Sequence, residues 1–364
     1  MRIGIYARGL SQKEGGVKNF LLDLVTKIRD MNFKGHTFYV IHNAPKRFFK
    51  TTSSYSEILM KTQNKFYADF FLAPNIINTL QLEKKKKKKN VIPYGIKCAK
   101  VVIVHDLAYY LKQLNAYPLL DTLYMKWMIR SSSKRADKVI AVSENTKKDL
   151  KEILSIPENK VSVVHESVNG NFRKIKDTDI LQKVKKKYEL PDNFMLFTGG
   201  ISPRKNIPRL LEAFSIFKEK NRIYKLVLTG SVGWKNNREN LLINSNVDIF
   251  KIGYVETEDM PVLYNLADLY LYPSLYEGFG LPILEAQACG CPVLTSNVTS
   301  CPEVAGDGAH IVNPYSEKEI VEGMQKILQD KMYREKLIRK GYKNLERFSW
   351  ERSAKELLEV LENL

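Results

Sequence analysis

The stretch from Ala267 to Asn297 limits the possible folds more than any other part of the chain. Leu269 to Tyr272 is a short apolar run that reads as a buried strand, stopped by Pro273-Ser274. Gly278 and Gly280 free the backbone, and Pro282 stands where the first turn of a helix accepts a proline. The predicted helix runs through Leu284-Glu285-Ala286 and stops at Gly290, after which Pro292 to Thr295 forms the next strand. Strand, glycine loop, helix, strand is a βαβ unit. Its helix N-terminus faces the carboxyl ends of the strands, where unpaired N–H groups and the helix dipole favour an anion, usually a phosphate.

Two carboxylates bracket this loop: Glu277 precedes the glycines, and Glu285 lies eight residues on, inside the helix. A carboxylate does not hold phosphate, so each is expected to accept hydrogen bonds from something neutral attached to it, and sugar hydroxyls are the obvious candidates. The plain alternative is a solvated loop glutamate and a solvated helix glutamate. The string closely resembles the Glu-x7-Glu signature of the family 4 glycosyltransferases. The resemblance implies that Glu277 contacts a donor sugar and Glu285 the nucleotide ribose, with Gly278, Phe279, Gly280 and Leu281 forming the donor loop between them.

At 364 residues the chain has room for two domains, each with its own core. Hydrophobic content of 44% and charged content of 27% are ordinary for a soluble globular protein. No apolar run approaches the roughly 20 residues that a spanning helix needs, and Arg2 to Tyr6 is already a strand with no signal-peptide layout. The expected location is cytoplasmic, peripheral on the inner face of the membrane where the acceptor demands it. Cys98, Cys289, Cys291 and Cys301 lack zinc-site spacing and read as packing residues.

The net charge of +18 is lopsided. Residues 1–172 hold 30 Lys and Arg against 14 Asp and Glu, or +16, whereas residues 173–364 hold 28 against 26, or +2. The first half therefore attracts anions: nucleic acid, acidic lipid or a phosphorylated acceptor. The six lysines Lys84 to Lys89 read as a disordered, solvated loop, and this loop and the Trp127, Lys126, Arg130 region are the candidates for contact with an anionic membrane.

After the first strand, Gly15-Gly16 precedes an amphipathic helix with Phe20, Leu21, Leu24, Val25 and Ile28 on one face. By resemblance this glycine pair approaches the donor phosphates. Lys100 to Val104 is a near-continuous apolar strand ending in His105-Asp106, so His105 sits at the carboxyl end of a parallel strand, where ligands of open α/β sheets bind. The pair matches the family's His-Asp motif, which implies contact between His105 and the transferred sugar. His165 to Asn169 departs from the family's usual Pro-Asn-Gly turn and leaves His165 and Glu166 without an assigned role. In the second half, Phe194 to Phe197 leads into a turn carrying Arg204-Lys205-Asn206. Arg as a bidentate clamp and Lys as a point charge suit a diphosphate leaving group, and both match the family's cation pair. Ile249 to Tyr254 is another strand, and the family's backbone meets the nucleobase just after it, near Tyr254 and Val255.

The resemblance covers nearly the whole chain and is nearest to the branch that includes O-chain and capsule mannosyltransferases. It implies a GT-B fold: two Rossmann-like α/β domains, 1–172 (acceptor) and 173–346 (nucleotide sugar), facing a central cleft, with a terminal helix, 347–364, crossing back to the first. The implied activity is retaining transfer of a hexose from GDP-mannose or a UDP-hexose to a glycan or lipid-linked acceptor in cell-surface polysaccharide synthesis. An anionic membrane surface is an expected partner and nucleic acid is not. No Asp-x-Asp motif is read in the chain to hold a divalent metal, so the enzyme is expected to need no metal and no cofactor beyond the donor. Three rivals fit less well. A dehydrogenase would want Gly-x-Gly-x-x-Gly and a distal acid. A non-catalytic basic binding protein explains nothing in 267–305. A GT-B nucleotide-sugar epimerase differs in acting without an acceptor.

Overall fold

The computed structural model describes residues 1–7, 10, 16–62, 64–80, 84–88, 92–111, 117–230 and 246–364, with only the backbone for 65 and 84–88. The chain divides into two compact units, the first formed by Met1–Tyr110, Leu119–Glu166 and Ser349–Leu364, the second chiefly by Ser167–Phe348. The expected division after residue 172 assigns 167–172 to the other unit.

The first unit holds a seven-stranded sheet with the order β3-β2-β1-β4-β5-β6-β7. Its strands are β1 Arg2–Tyr6, β2 Thr37–His42, β3 Tyr55–Leu59, β4 Lys84–Lys88, β5 Ala99–Val104, β6 Lys138–Ala141 and β7 Val161–Val163. Every pairing between them is parallel. The lysine run corrects the loop expectation, because residues 84–88 form an interior strand. Lys84–Lys87 pair with Ile3–Tyr6 on one side, and Lys84–Lys88 with Ala99–Ile103 on the other. Strand pairing uses backbone N–H and C=O groups, which lysine carries like any other residue, and leaving the inner edges of β1 and β5 open would strand both ladders. Lys89 and Gly15 lie outside the described residues.

Helices flank this sheet: α1 Gly16–Asp30, α2 Lys65–Tyr67, α3 Ala73–Thr79, α4 Leu119–Arg135 and α5 Glu144–Leu154. The apolar stripe expected on α1, Phe20, Leu21, Leu24, Val25 and Ile28, is its buried face. Ser143 caps α5 by accepting from the Thr146 N–H at 3.0 Å.

The second unit repeats the plan with six parallel strands, β8 Phe194–Phe197, β9 Lys225–Thr229, β10 Ile249–Gly253, β11 Leu269–Tyr272, β12 Val293–Ser296 and β13 His310–Val312. Their order is β10-β9-β8-β11-β12-β13. Relative to its own first strand this is the doubly wound order, which reverses between β8 and β11 and opens a crevice beyond their carboxyl ends. Its helices are α6 Thr178–Lys187, α7 Ile207–Lys220, α8 Met260–Leu266, α9 Leu281–Ala288, α10 Cys301–Ala305, α11 Glu317–Gln329 and α12 Lys331–Leu345. Met195, Phe197, Leu226, Leu228, Leu269, Leu271 and Leu294 from the sheet join Phe214, Phe217, Ile320, Met324 and Ile327 in one core.

The terminal helix α13, Trp350–Glu362, belongs to the first unit and packs on α1. Ser349 caps it, accepting from the Glu351 N–H at 3.2 Å. Trp350 meets the Phe20 ring at 5.4 Å, and Ser353 Oγ donates to the His165 carbonyl at 2.7 Å.

Candidate active site

The reversal point of the second sheet carries a cluster of charged side chains. After β8 the chain passes Gly199 and turns through Pro203–Lys205, ending in Asn206 at φ +61. Asparagine tolerates this left-handed conformation better than most residues, and its amide donates to the Pro273 and Pro314 carbonyls at 3.1 and 2.6 Å. The turn is thereby pinned to the loop that follows β11. From it Arg204 Nη1 reaches Glu277 Oε2 at 2.5 Å, and Lys205 Nζ reaches Glu277 Oε1 at 2.7 Å. Lys205 also donates to the Tyr272 hydroxyl at 2.6 Å. Arg204, Lys205 and Glu277, chosen from sequence, are one ion triad.

Lys205 and Glu277 are both buried. Burial draws the Lys205 ammonium down to about 8, against the attraction of Glu277. Burial opposes charge on Glu277 as well, but Arg204 and Lys205 outweigh it and hold the carboxyl at about 2. The pair is therefore ionised at neutral pH. Each carboxylate oxygen has a second lone pair, so Glu277 keeps acceptor capacity beyond its two cations.

The loop bearing Glu277 is fixed from behind by residues that sequence reasoning missed. Thr299 Oγ1 accepts from the Glu277 N–H at 3.2 Å, while Ser300 Oγ donates to the carbonyls of Glu277 and Phe279 at 3.0 and 2.7 Å. Thr299 holds φ +57, a strained value for a β-branched residue. Gly280 at φ +104 starts α9, and a Cβ there would come within 3.2 Å of Ile283. Gly278, Phe279 and Gly280 are buried in this turn, and Leu281 begins the helix.

Glu285, one turn into α9, accepts from the Tyr264 hydroxyl at 2.8 Å. Tyr264 and Tyr270 both meet Thr198 Oγ1, at 3.0 and 2.9 Å, so a buried hydroxyl network ties the carboxylate to the end of β8. At the end of β10, Tyr254 is half exposed and Val255 buried. Behind them Gly230 N–H donates to the Gly253 carbonyl at 2.6 Å, and a Cβ on Gly230 would lie 2.5 Å from the Gly199 carbonyl oxygen. Only glycine allows that approach.

In the first unit, His105 directly follows the carboxyl end of β5, and Gly16 begins α1. His105 Nδ1 lies 2.9 Å from Glu166 Oε1, both residues buried, and the imidazole meets the Phe20 ring edge-on at 4.6 Å. Glu166 stands in the segment that departed from the family turn, and its position 61 residues from His105 gave the sequence no signal of the pairing. Against the expectation that the chain holds no Asp-x-Asp motif, one stands at Asp177-Thr178-Asp179, and it caps α6: Asp177 accepts from the N–H groups of Asp179 and Ile180 at 2.9 and 3.3 Å.

Residues 14–171 match the model of Glycosyltransferase Family 4, and residues 179–344 that of Glycosyl transferases group 1. The chain is 32% identical over 265 residues to O-antigen chain mannosyltransferase B of Escherichia coli, covering 71% of this chain and 69% of that protein. It is also 32% identical over 263 residues to the serotype-specific mannosyltransferase WbdA of Escherichia coli, spanning about a third (32%) of that longer protein. Among solved structures, the sucrose-phosphate synthase of Thermosynechococcus elongatus superposes with a TM-score of 0.80 at 17% identity, over 100% of this chain and 98% of that one. Anabaena Alr3699/HepE in complex with UDP-glucose superposes at 0.78 with 18% identity and full coverage of both chains. The fold is thus the GT-B fold, and the chain is an enzyme belonging to glycosyltransferase family 4.

Proposed function

We propose that this enzyme transfers a hexose, mannose foremost, from a nucleotide-diphosphate donor to a glycan or lipid-linked acceptor in cell-surface polysaccharide synthesis, retaining the anomeric configuration and using no metal. The observation that carries this reading is the Arg204–Lys205–Glu277 triad at the β8/β11 reversal, in which Lys205 and Glu277 are buried. The barrier to transfer is departure of a diphosphate from an oxocarbenium-like centre. Arg204, Lys205 and the N-terminus of α9 are placed to stabilise charge growing on the leaving phosphate. Glu277 accepts from sugar hydroxyls through its remaining lone pairs, Glu285 from the ribose, and Tyr254 and Val255 border the base. Gly16 and His105 keep the roles that the resemblance gives them, backbone approach to phosphate and contact with the transferred sugar. The acceptor hydroxyl attacks the face the diphosphate leaves, and the diphosphate takes its proton.

The mannosyltransferase names of the relatives favour mannose, whereas the HepE complex with UDP-glucose keeps a UDP-hexose in view. A thermal-shift panel of GDP-mannose, UDP-hexoses and ADP-glucose separates them, followed by product analysis with the best binder. Stabilisation by GDP-mannose and an α-linked product support the reading. Turnover of a donor to its epimer with no acceptor present would replace it with an epimerase. The excess of positive charge in residues 1–172 favours work at an anionic membrane surface. No helix among the described residues is long and apolar enough to cross a membrane.

A further inference from the structure

Large apolar side chains are exposed together on one part of the first unit. On α4, Leu119, Leu120, Leu123 and Trp127 follow helical spacing and stand 72, 82, 56 and 49% exposed. Phe66, Tyr67 and Phe71, on α2 and the π-helical turn after it, Ala68–Leu72, are similarly open. A ring stack joins the two groups: Phe66 lies 4.3 Å from Phe70, Phe70 lies 5.1 Å from Tyr94 and 6.1 Å from Trp127, and Tyr94 and Trp127 are 5.6 Å apart. The face is built rather than incidental. Buried Asp69 accepts from the Tyr6 hydroxyl at 2.6 Å and from Tyr124 of α4 at 3.1 Å, clamping the turn to the helix.

The charge on this face has one sign. Within α4 the only acid is Asp121, which accepts from Tyr109 at 3.2 Å, against Lys126, Arg130, Lys134 and Arg135. Arg130 and Lys134 are exposed, and Arg135 stacks 3.8 Å over Tyr94. Contiguous exposed apolar patches of this kind mark interaction sites. Aromatic and leucine side chains bordered by long basic ones suit the boundary between headgroups and acyl chains, where rings insert and cations reach phosphate. A second copy fits poorly, because two such faces would bring like charges together.

We infer that the face formed by Phe66, Phe71, Leu119, Leu120, Leu123 and Trp127, bordered by Arg130 and Lys134, seats the enzyme on an anionic lipid bilayer. This rests on the lipid-linked form of the acceptor proposed above and names the surface that meets the membrane. It replaces the Lys84–Lys89 run in that role, since residues 84–88 are an interior strand. Apolar insertion and charge attraction then act together, and only the second is screened by salt.

The test is sedimentation of the full-length enzyme with phosphatidylglycerol-containing or pure phosphatidylcholine vesicles. Binding is expected to favour the anionic vesicles at low salt and to weaken without vanishing at about 0.5 M salt, where charge interactions reach only about 4 Å. Replacing Phe71 and Leu120 together by serine is expected to cut partitioning about tenfold, or about 1.4 kcal/mol, at both salt levels. Arg130→Ser with Lys134→Ser is expected to remove mainly the salt-sensitive part. All these variants should transfer sugar normally to a soluble acceptor mimic. Equal pelleting of wild type and the Phe71/Leu120 variant, or complete release by salt, would overturn the inference. So would a concentration-dependent dimer in sedimentation velocity that the same variant abolishes. Face-dependent vesicle binding by a protein that transfers no hexose would uphold the surface and remove the transfer reading instead.

Discussion

His105 Nδ1 and Glu166 Oε1 are 2.9 Å apart in a buried setting, joined across 61 residues of chain. A carboxylate can only accept, so Nδ1 must carry the proton, and this fixes the tautomer that Nε2 presents. Glu166 is thus a positioning residue, with His105 held on its other side by the edge of Phe20.

Glu166→Gln is expected to lower kcat/KM about tenfold, the scale of one hydrogen bond to a charged group, by releasing the imidazole. The measurement specific to positioning is the nitrogen chemical-shift pattern of His105, which should change from the Nδ1–H form to a mixture. An unchanged tautomer, or unchanged kinetics, would make the pair structural only.

Lys205 titrates within reach of ordinary assays because burial draws it from 10.5 to about 8. Below that pH the ammonium is charged, as its proposed role at the leaving phosphate requires; above it the charge is lost. The kcat/KM profile, which reports the free enzyme, is expected to fall above about pH 8 with a one-proton slope. Stability moves the other way: between about 8 and 10.5 the unfolded chain holds a proton that the folded chain has lost, so unfolding becomes harder as pH rises. Lys205→Ala should cost about 10²–10³-fold in turnover, the scale of one preorganised charge-stabilising donor, with donor binding less affected. Lys205→Arg should abolish the alkaline limb whatever its rate. A limb that survives in the arginine variant would assign it elsewhere.

Activity is expected to persist in excess EDTA, with charge on the diphosphate met by Arg204, Lys205 and the N-terminus of α9. Asp177, first in the Asp-x-Asp string, uses its Oδ1 to cap α6. Loss of turnover in EDTA that Mg²⁺ or Mn²⁺ restores would place a metal at the phosphates.

The parts legible in sequence share a physical reason. Leu269–Tyr272 and Val293–Ser296 are apolar runs too short for helices, separated by glycine and proline signals. Glu277, Arg204 and Lys205 were legible because each stands just past a strand's carboxyl end. Glu166 and Thr299 were not: both act through pairings distant in sequence, and Thr299 does so in a strained conformation that no composition announces. Strand β4 was illegible because a lysine run carries no period. Phe66 to Phe71 was unreadable as a surface because its stacking partners, Tyr94 and Trp127, lie far along the chain.

Helix α13 completes the first unit from the far end of the chain. It buries Ala354, Leu357, Leu358 and Leu361, and each fully buried leucine contributes about 1.5–3 kcal/mol. Three of them approach the roughly 5–15 kcal/mol that a domain has in total. Deleting residues 348–364 is therefore expected to unfold the first unit rather than trim it, abolishing activity along with its melting transition. A milder cut keeps the relation measurable. Leu361 is fully buried, and Leu361→Ala should cost about 2–5 kcal/mol, lowering Tm by roughly 2–4 °C per kcal/mol in a unit of this size. Trp350 bears on Phe20, and Phe20 on His105, so Trp350→Ala should disturb turnover beyond its effect on stability. An active truncation with an unchanged melting profile would show that α13 neither completes this core nor supports His105.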